Sequence, residues 1–314
     1  MSPSENQFRI IIVKIRHLAE YIAFQIIAFL VMLLPLSGAR WLGSSLGVFV
    51  FDVLGYRKGV ALENLKRAFP EKSNDELRHI ARGAFRNVGI ALFELIWIPR
   101  MSAERLVSLM HFDHPELVRE AFREGKGVLM LTAHFGNWEL LAESIFVQFG
   151  FPANVIVKTQ ANRFVDRSIN KRRIRFGNKI IPMETSLREV LRALRDNEAV
   201  GLVADQAAPK ENVPVEFFGT MVPTHQGPSV FSLKMGSPIV AMFSVRRDDG
   251  SYDIHVTRVP SDDLKGYTEE NATELTKRHV KITEDIIRRF PDHWMWTHKR
   301  WKHVPIHDQE PGNA

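Results

Sequence analysis

Among its 314 residues the chain has no cysteine, which excludes a disulfide, a thiolate nucleophile and any cysteine-bound metal. Covalent catalysis would have to run through Ser, Thr, Asp, Lys or His. The H-E-x-x-H spacing of helical zinc sites is also missing, and His293, His298 and His303, five residues apart, do not repeat at a familiar ligand spacing. There is no internal repeat and no low-complexity linker, so the chain is not a solenoid or a string of loosely tethered modules. Hydrophobic residues at 45% and charged residues at 25% exclude disorder and leave enough apolar side chains for a large core. Charge balance is lacking too. A formal net charge of +6 favours anionic partners: phospholipid headgroups, phosphorylated glycolipids, acidic carrier proteins or nucleic acid.

The longest apolar run is Tyr21 to Leu36, interrupted only by Gln25 and preceded by Arg9, Lys14, Arg16 and His17. A helical span needs about 20 apolar residues, so this one is marginal and fits an anchor that either crosses the bilayer or lies in its interface. The basic flank resembles a signal peptide, but Ser37-Gly38-Ala39 is a weak cleavage site followed at once by Arg40-Trp41. We read an uncleaved anchor over 1–40 whose basic end stays cytoplasmic.

Helical signals then run from Arg40 to about Met110. Ser73 and Glu76 form an S-x-x-E capping box ahead of Leu77, Ile80, Ala81 and Phe85, and residues 88–99 are almost continuously apolar, suiting a core helix or a membrane-facing one. From Gly125 the pattern alternates. Short apolar runs at 127–132, 154–158, 199–204, 238–245 and 252–257 read as strands, separated partly by helical stretches such as the one opened by Ser186 and Glu189. A last helix is expected after Thr268, stopping at Pro291. The expected fold is α/β: a central mixed sheet flanked by helices, with residues 41–110 packed on an α/β domain over 111–314.

Chemistry concentrates in TAHFGNWE, Thr132 to Glu139. His134 falls where a strand ends and Glu139 in the first turn of the next helix, at the strand end where open α/β sheets place their sites. A carboxylate accepting from one imidazole nitrogen makes the other a stronger base, so Glu139 is the expected partner of His134. Gly136 permits close approach, and amides at the helix start suit a developing anion. Asn137 and Trp138, beside the pair, are candidate substrate contacts. Asp205 and Gln206 follow the strand at 199–204 and either position a sugar or cap the next turn. From Lys158 to Lys179, with Arg163, Arg167, Lys171, Arg172, Arg173 and Arg175 between, basic residues face the lone acid Asp166, a pattern for an anion. Only Phe164 and Phe176 stand among these cations, short of the regular aromatic interleaving of a nucleic-acid surface, and the chain carries a membrane segment, so nucleic acid is not expected. Phe217 and Phe218 suit an apolar channel or the core, and Trp294, Trp296, His298, Arg300 and Trp301 suit headgroup depth.

Four blocks stand in order: TAHFGNWE (132–139), VGLVADQAAPKENVPVEFFG (200–219), THQGPSVFSLKMGSPIV (224–240) and PDHWMWTHKRWK (291–302). Through them the chain resembles the lauroyl/myristoyl transferases that act late in lipid A biosynthesis, of the lysophospholipid acyltransferase-like superfamily, over about residues 15–305. The resemblance implies transfer of an acyl chain from acyl-[acyl carrier protein] to a hydroxyl of an anionic Kdo-bearing lipid A precursor at the cytoplasmic face of the inner membrane. It puts the catalytic pair on His134 and Glu139 and the family's arginine on Arg163, with Lys158 among the anion-binding residues. No cofactor is implied, because the thioester supplies the energy. Three rivals stay open: another membrane glycolipid or phospholipid acceptor, a ping-pong route through Ser144 or Ser229, and a catalytically silent glycolipid-binding membrane protein.

Overall fold

A computed structural model of the chain describes residues 3–304, with side chains from residue 12 onward; Arg9 of the basic flank and the tail after Val304 lie outside the side chains described. Helix α1 (Pro3–Leu33) turns at Leu34-Pro35 into α2 (Leu36–Phe49), which continues as a π-helical turn over Val50–Leu54. Helices α3 (Lys58–Ala68), α4 (Asn74–Trp97) and α5 (Ala103–Leu109) complete the helical half. The α/β half follows as β1 (Met110–Phe112), α6 (Pro115–Arg123), β2 (Val128–Thr132), α7 (Trp138–Phe149), β3 (Ala153–Val157), α8 (Arg163–Arg173), β4 (Lys179–Pro182), α9 (Ser186–Arg195) and β5 (Ala199–Val203). A hairpin, β6 (Pro214–Phe217) and β7 (Thr220–Pro223), precedes α10 (Gly227–Met235), β8 (Ile239–Arg246), β9 (Tyr252–Arg258) and α11 (Glu269–Arg289).

Local chemistry explains several boundaries. Ser73 Oγ accepts from the Glu76 amide at 3.3 Å while the Glu76 carboxylate accepts from the Ser73 amide at 2.8 Å, the reciprocal cap expected for α4. Thr268 caps α11 by accepting from the Asn271 amide at 3.0 Å. The expected Ser186 box does not form: α9 begins at Ser186 itself, and Glu189 accepts instead from the Thr185 hydroxyl at 2.9 Å. In the β6–β7 turn Phe218 (φ +52°) and Gly219 (φ +70°) are both left-handed, the pairing a tight hairpin demands, and Glu284 secures it by accepting from the Phe218 amide at 2.7 Å.

Seven strands form the mixed sheet, in the order β1-β9-β8-β2-β5-β3-β4, parallel except where β9 runs against β8. Alternation along β2 sorts the core into two layers. Leu129, Leu131 and Ala133 face one side, with Val190 and Leu194 of α9 and Leu275 and Ile287 of α11, whereas Val128 and Met130 face the other, with Leu140, Leu141 and Ile145 of α7 and Val118 and Phe122 of α6. Helix α4 serves both layers, Leu77 to Phe85 in the first and Phe93 to Trp97 in the second. It is a core helix rather than a membrane-facing one.

Helices α2 and α4 touch backbone to backbone. A methyl group on Gly89 would sit 2.1 Å from the Gly43 carbonyl oxygen, and one on Gly47 would sit 2.2 Å from that of Phe85. Gly89→Val is expected to destabilise the fold by about 1–3 kcal/mol, since a forced side chain must push two main chains apart. Urea unfolding of the detergent-solubilised protein measures it.

Candidate active site

The pairing of β2 with β5 builds the site. These parallel strands run in register from Val128 opposite Ala199 to Thr132 opposite Val203, an offset of 71 residues, and the same offset two residues on sets His134 beside Asp205. Both lie at the C-terminal edge of the sheet, where main-chain dipoles and loops converge. Asp205 Oδ1 is 2.8 Å from His134 Nδ1, and Asp205 Oδ2 accepts from the His134 amide at 2.9 Å and the Trp294 indole at 2.7 Å.

Asp205 is buried, and burial alone opposes its charge, yet His134 beside it and the donated N–H groups hold its carboxyl down at about 2. An ionised Asp205 accepts only, so Nδ1 carries the hydrogen and Nε2 of the neutral ring is an acceptor, reached by the Gln206 amide nitrogen. Burial also opposes a charged imidazole, but Asp205 outweighs it, and the His134 pKa lies above its ordinary 6.5. Nε2 faces the open side. Its neighbour is the exposed Gln206 amide at 3.4 Å, and Trp138 stands edge-on to the ring with centroids 5.2 Å apart.

Glu139, the partner expected from the sequence, holds a different side chain. Its carboxylate takes a two-pronged bond from Arg173, with Nε at 2.8 Å and the terminal nitrogen at 2.5 Å. The physical reason is placement. Glu139 lies in the first turn of α7, facing the end of α8, while the residue level with His134 across the strand gap is Asp205, two residues past the end of β5. The Glu139 charge favours protonation of His134 and the Arg173 charge opposes it, both acting after burial and Asp205. Beneath the Glu139–Arg173 pair Glu143 is buried and pushed up to about 8 by that burial, leaving it protonated near neutrality and accepting from the Phe176 amide at 3.3 Å.

The loop is fixed from three sides. Gly136 adopts φ +55° and passes so close to β8 that a Cβ would lie 1.7 Å from the Ser244 carbonyl oxygen. Its amide donates to the His293 carbonyl at 2.8 Å, the Asn137 amide to Ser244 Oγ at 2.8 Å, and the Met295 amide to the His134 carbonyl at 2.9 Å. The Gly136 and Asn137 amides, expected near a developing anion, are thus already committed. Asn137 is fully buried. It caps α7 by accepting from the Leu140 amide at 2.9 Å and gives its own amide hydrogen to Glu94 at 2.5 Å. Glu94, buried in α4, also accepts from Arg40 and from the Tyr252 hydroxyl, both at 2.5 Å, and so ties the helical half to the site.

The other residues singled out from the sequence distribute as follows. Lys158 is exposed just past the end of β3, and Arg163 is exposed at the start of α8, near Glu184 rather than Glu139. The tryptophans expected at headgroup depth are core: Trp294, Trp296 and Trp301 are at most 4% exposed, and the buried Arg300 binds the Thr224 hydroxyl at 2.8 Å. Their segment is a clamp on the site, with the His298 ring accepting from the Ala207 amide at 3.0 Å. Phe217 and Phe218 are core as well. Ser144 and Ser229 are buried, their hydroxyls engaged with the Leu141 carbonyl and Thr276. The roles of Asp205, Arg173 and Trp294 escaped the sequence; for Asp205 the usable signal was its place just past a second apolar strand.

The family model described as bacterial lipid A biosynthesis acyltransferase matches residues 11–303. Among characterised proteins, the lipid A biosynthesis palmitoleoyltransferase of Escherichia coli (strain K12) is 27% identical over 280 residues, 87% of this chain and 88% of that protein. The lipid A biosynthesis lauroyltransferase of the same organism is 26% identical over 286 residues, 89% and 90% of the two chains. A phosphatidylinositol mannoside acyltransferase of Mycolicibacterium smegmatis (strain ATCC 700084 / mc(2)155) is 23% identical over 194 residues, 60% of this chain and 62% of that one.

Trp294→Phe keeps the aromatic packing and deletes one hydrogen bond to the buried Asp205 carboxylate. It is expected to lower stability by roughly 1–3 kcal/mol, measured by urea unfolding beside the wild type.

Proposed function

This chain belongs to the bacterial lipid A biosynthesis acyltransferases, and from that membership we propose that it moves a fatty acyl chain from acyl-[acyl carrier protein] to a hydroxyl of an anionic Kdo-bearing lipid A precursor. The observation that carries the mechanism is the His134–Asp205 bond at 2.8 Å, which leaves Nε2 unprotonated and facing the open side. His134 Nε2 removes the proton of the acceptor hydroxyl while its oxygen attacks the thioester carbonyl. The tetrahedral intermediate collapses, the C–S bond breaks, and the imidazolium returns its proton to the carrier thiolate. No acyl-enzyme forms. Asp205 stabilises the imidazolium, and Arg173, oriented by Glu139, is the cation placed to steady the oxyanion. Glu139 therefore acts through Arg173.

Trp138 and Gln206 border the approach to Nε2 and fit contacts with substrate, whereas Asn137 contributes by holding the start of α7. Lys158, Arg163 and the exposed cations of α8 steer the acidic carrier and the phosphates and carboxylates of the acceptor. Helix α8 packs against α1, so these cations stand next to the one helix among the described residues that is long and apolar enough to cross a membrane, over Ile12–Leu33. That supports a site on the cytoplasmic face of the inner membrane.

Radiolabelled acyl-[acyl carrier protein]s of several chain lengths, offered with Kdo₂-lipid IV_A, test the reading. Transfer by the wild type is expected, with losses of roughly 10² or more in His134→Ala and a clear loss in Arg173→Ala. Undiminished transfer by His134→Ala would contradict the mechanism. No transfer to the lipid A precursor, with transfer to a mannosylated phosphatidylinositol, would move the chain to the other acceptor that its mycobacterial relative suggests.

A further inference from the structure

Helix α2 is built inside out. Apart from Leu36 at its start, its buried positions, Ala39, Gly43 and Gly47, are small, while Trp41 is 69% exposed, Leu46 45% and Phe49 46%, and the exposed apolar surface runs on past its end through Val53 (67%) and Tyr56 (65%). A helix facing water carries its large apolar side chains inward and its polar ones outward. The exposed apolar surface continues through the corner at Leu33 (63% exposed) into α1, where Ile22, Ile26 and Leu30 are at least half exposed.

The other side of α1 is bound to the body from His17 onward. Asn162 Nδ2 donates to the His17 carbonyl at 2.8 Å and to Glu20 at 2.9 Å, Ser168 Oγ bonds Gln25 at 3.1 Å, and the Arg172 guanidinium lies 5.3 Å from the Phe24 ring centroid. Near the end of the helix the Trp97 indole donates to the Leu34 carbonyl at 3.0 Å. From His17 to Leu34 is about 26 Å of helix, close to the roughly 30 Å thickness of a hydrocarbon core. A crossing α1 would drag Asn162, Arg172 and the charged α8 into lipid, where each unpaired polar group is costly.

We propose that α1 and the outer face of α2 together enter a single leaflet of an anionic bilayer, so that the chain binds the membrane from one side and α1 does not cross it. The flanking charge fits that occupant. Arg57 and Lys58 close the α2 stripe, and Arg100 caps the α1 carbonyls of Met32 and Leu34 at the corner. A second copy of the chain would bring these cations against one another. Arg57 also donates to the Thr297 carbonyl at 3.0 Å, in the clamp beside His298, which holds Ala207 next to Gln206. The stripe thus ends against the segment that holds Ala207, next to Gln206 and His134. This geometry goes beyond the reaction proposed above and is tested without any activity.

A chain free of cysteine suits single-cysteine labelling. Full-length V53C and D262C, each bearing an environment-sensitive dye, are reconstituted in vesicles of phosphatidylethanolamine and phosphatidylglycerol. The dye at position 53 is expected to shift to the blue and to lose about half or more of its emission to nitroxide-bearing lipids, and the dye at 262 to do neither. In sealed inverted inner-membrane vesicles, S4C and D262C are expected to react equally with a membrane-impermeant maleimide. Reaction of S4C only after permeabilisation would show a crossing α1 and overturn the proposal. So would a dye at 53 that stays water-exposed, or one shielded only by energy transfer between copies, which would make the stripe a dimer face.

Discussion

The in-register pairing of β2 with β5 is the constraint on which the site depends. Parallel strands offer no choice of partner once register is set, and register is set by two apolar runs, β2 buried from Val128 to Leu131 and β5 at Ala199 and Val200, whose one-residue slip would turn every side chain to the opposite layer. The offset fixed by Val128 opposite Ala199 carries past the strand ends and delivers a carboxylate to an imidazole. Everything near it serves that contact. Trp294 donates to the same carboxylate, Gly136 lets the loop turn under β8, and the clamp holds the His134 carbonyl through Met295.

The sequence made the architecture legible because its strands are buried on both faces and its caps are strong. The five apolar runs match β2, β3, β5, β8 and β9 to within a residue or so, and the caps at Ser73 and Thr268 open the helices that follow. The mixed sheet and the family follow from that pattern and from the four ordered blocks. What stayed hidden is instructive. Strands β1, β4, β6 and β7 have three or four residues each, too few to show a period. Glu139 was conspicuous because it lies five residues from His134 along the chain, whereas Asp205 lies 71 residues away and becomes a neighbour only when strand order is known. The terminal tryptophans misled through composition: Trp and Arg suit an interface, but here the aromatic rings fill the core beneath the hairpin.

A second coupling links the apolar surface to the chemistry. Glycines at the α2–α4 contact let the two helices touch, and α4 then carries Glu94 to Asn137, the residue that caps α7. A buried carboxylate shared by Arg40, Tyr252 and Asn137 is costly to disturb, because each donor would be left unpaired. The surface that meets lipid and the helix that presents Glu139 are therefore parts of one rigid connection.

The central claim is that Asp205, and not Glu139, sets the basicity of His134. The pH dependence of kcat/KM tests it most directly in wild type, Asp205→Asn and Glu139→Gln. A general base must be neutral, so the rate rises with pH through the imidazole pKa, which Asp205 holds above 6.5. Removing the Asp205 charge leaves burial to dominate, so in Asp205→Asn the acid limb is expected to move to lower pH and the plateau to fall. Glu139→Gln is expected to lower the plateau and move the limb less. A limb that follows Glu139→Gln and ignores Asp205→Asn would contradict the account.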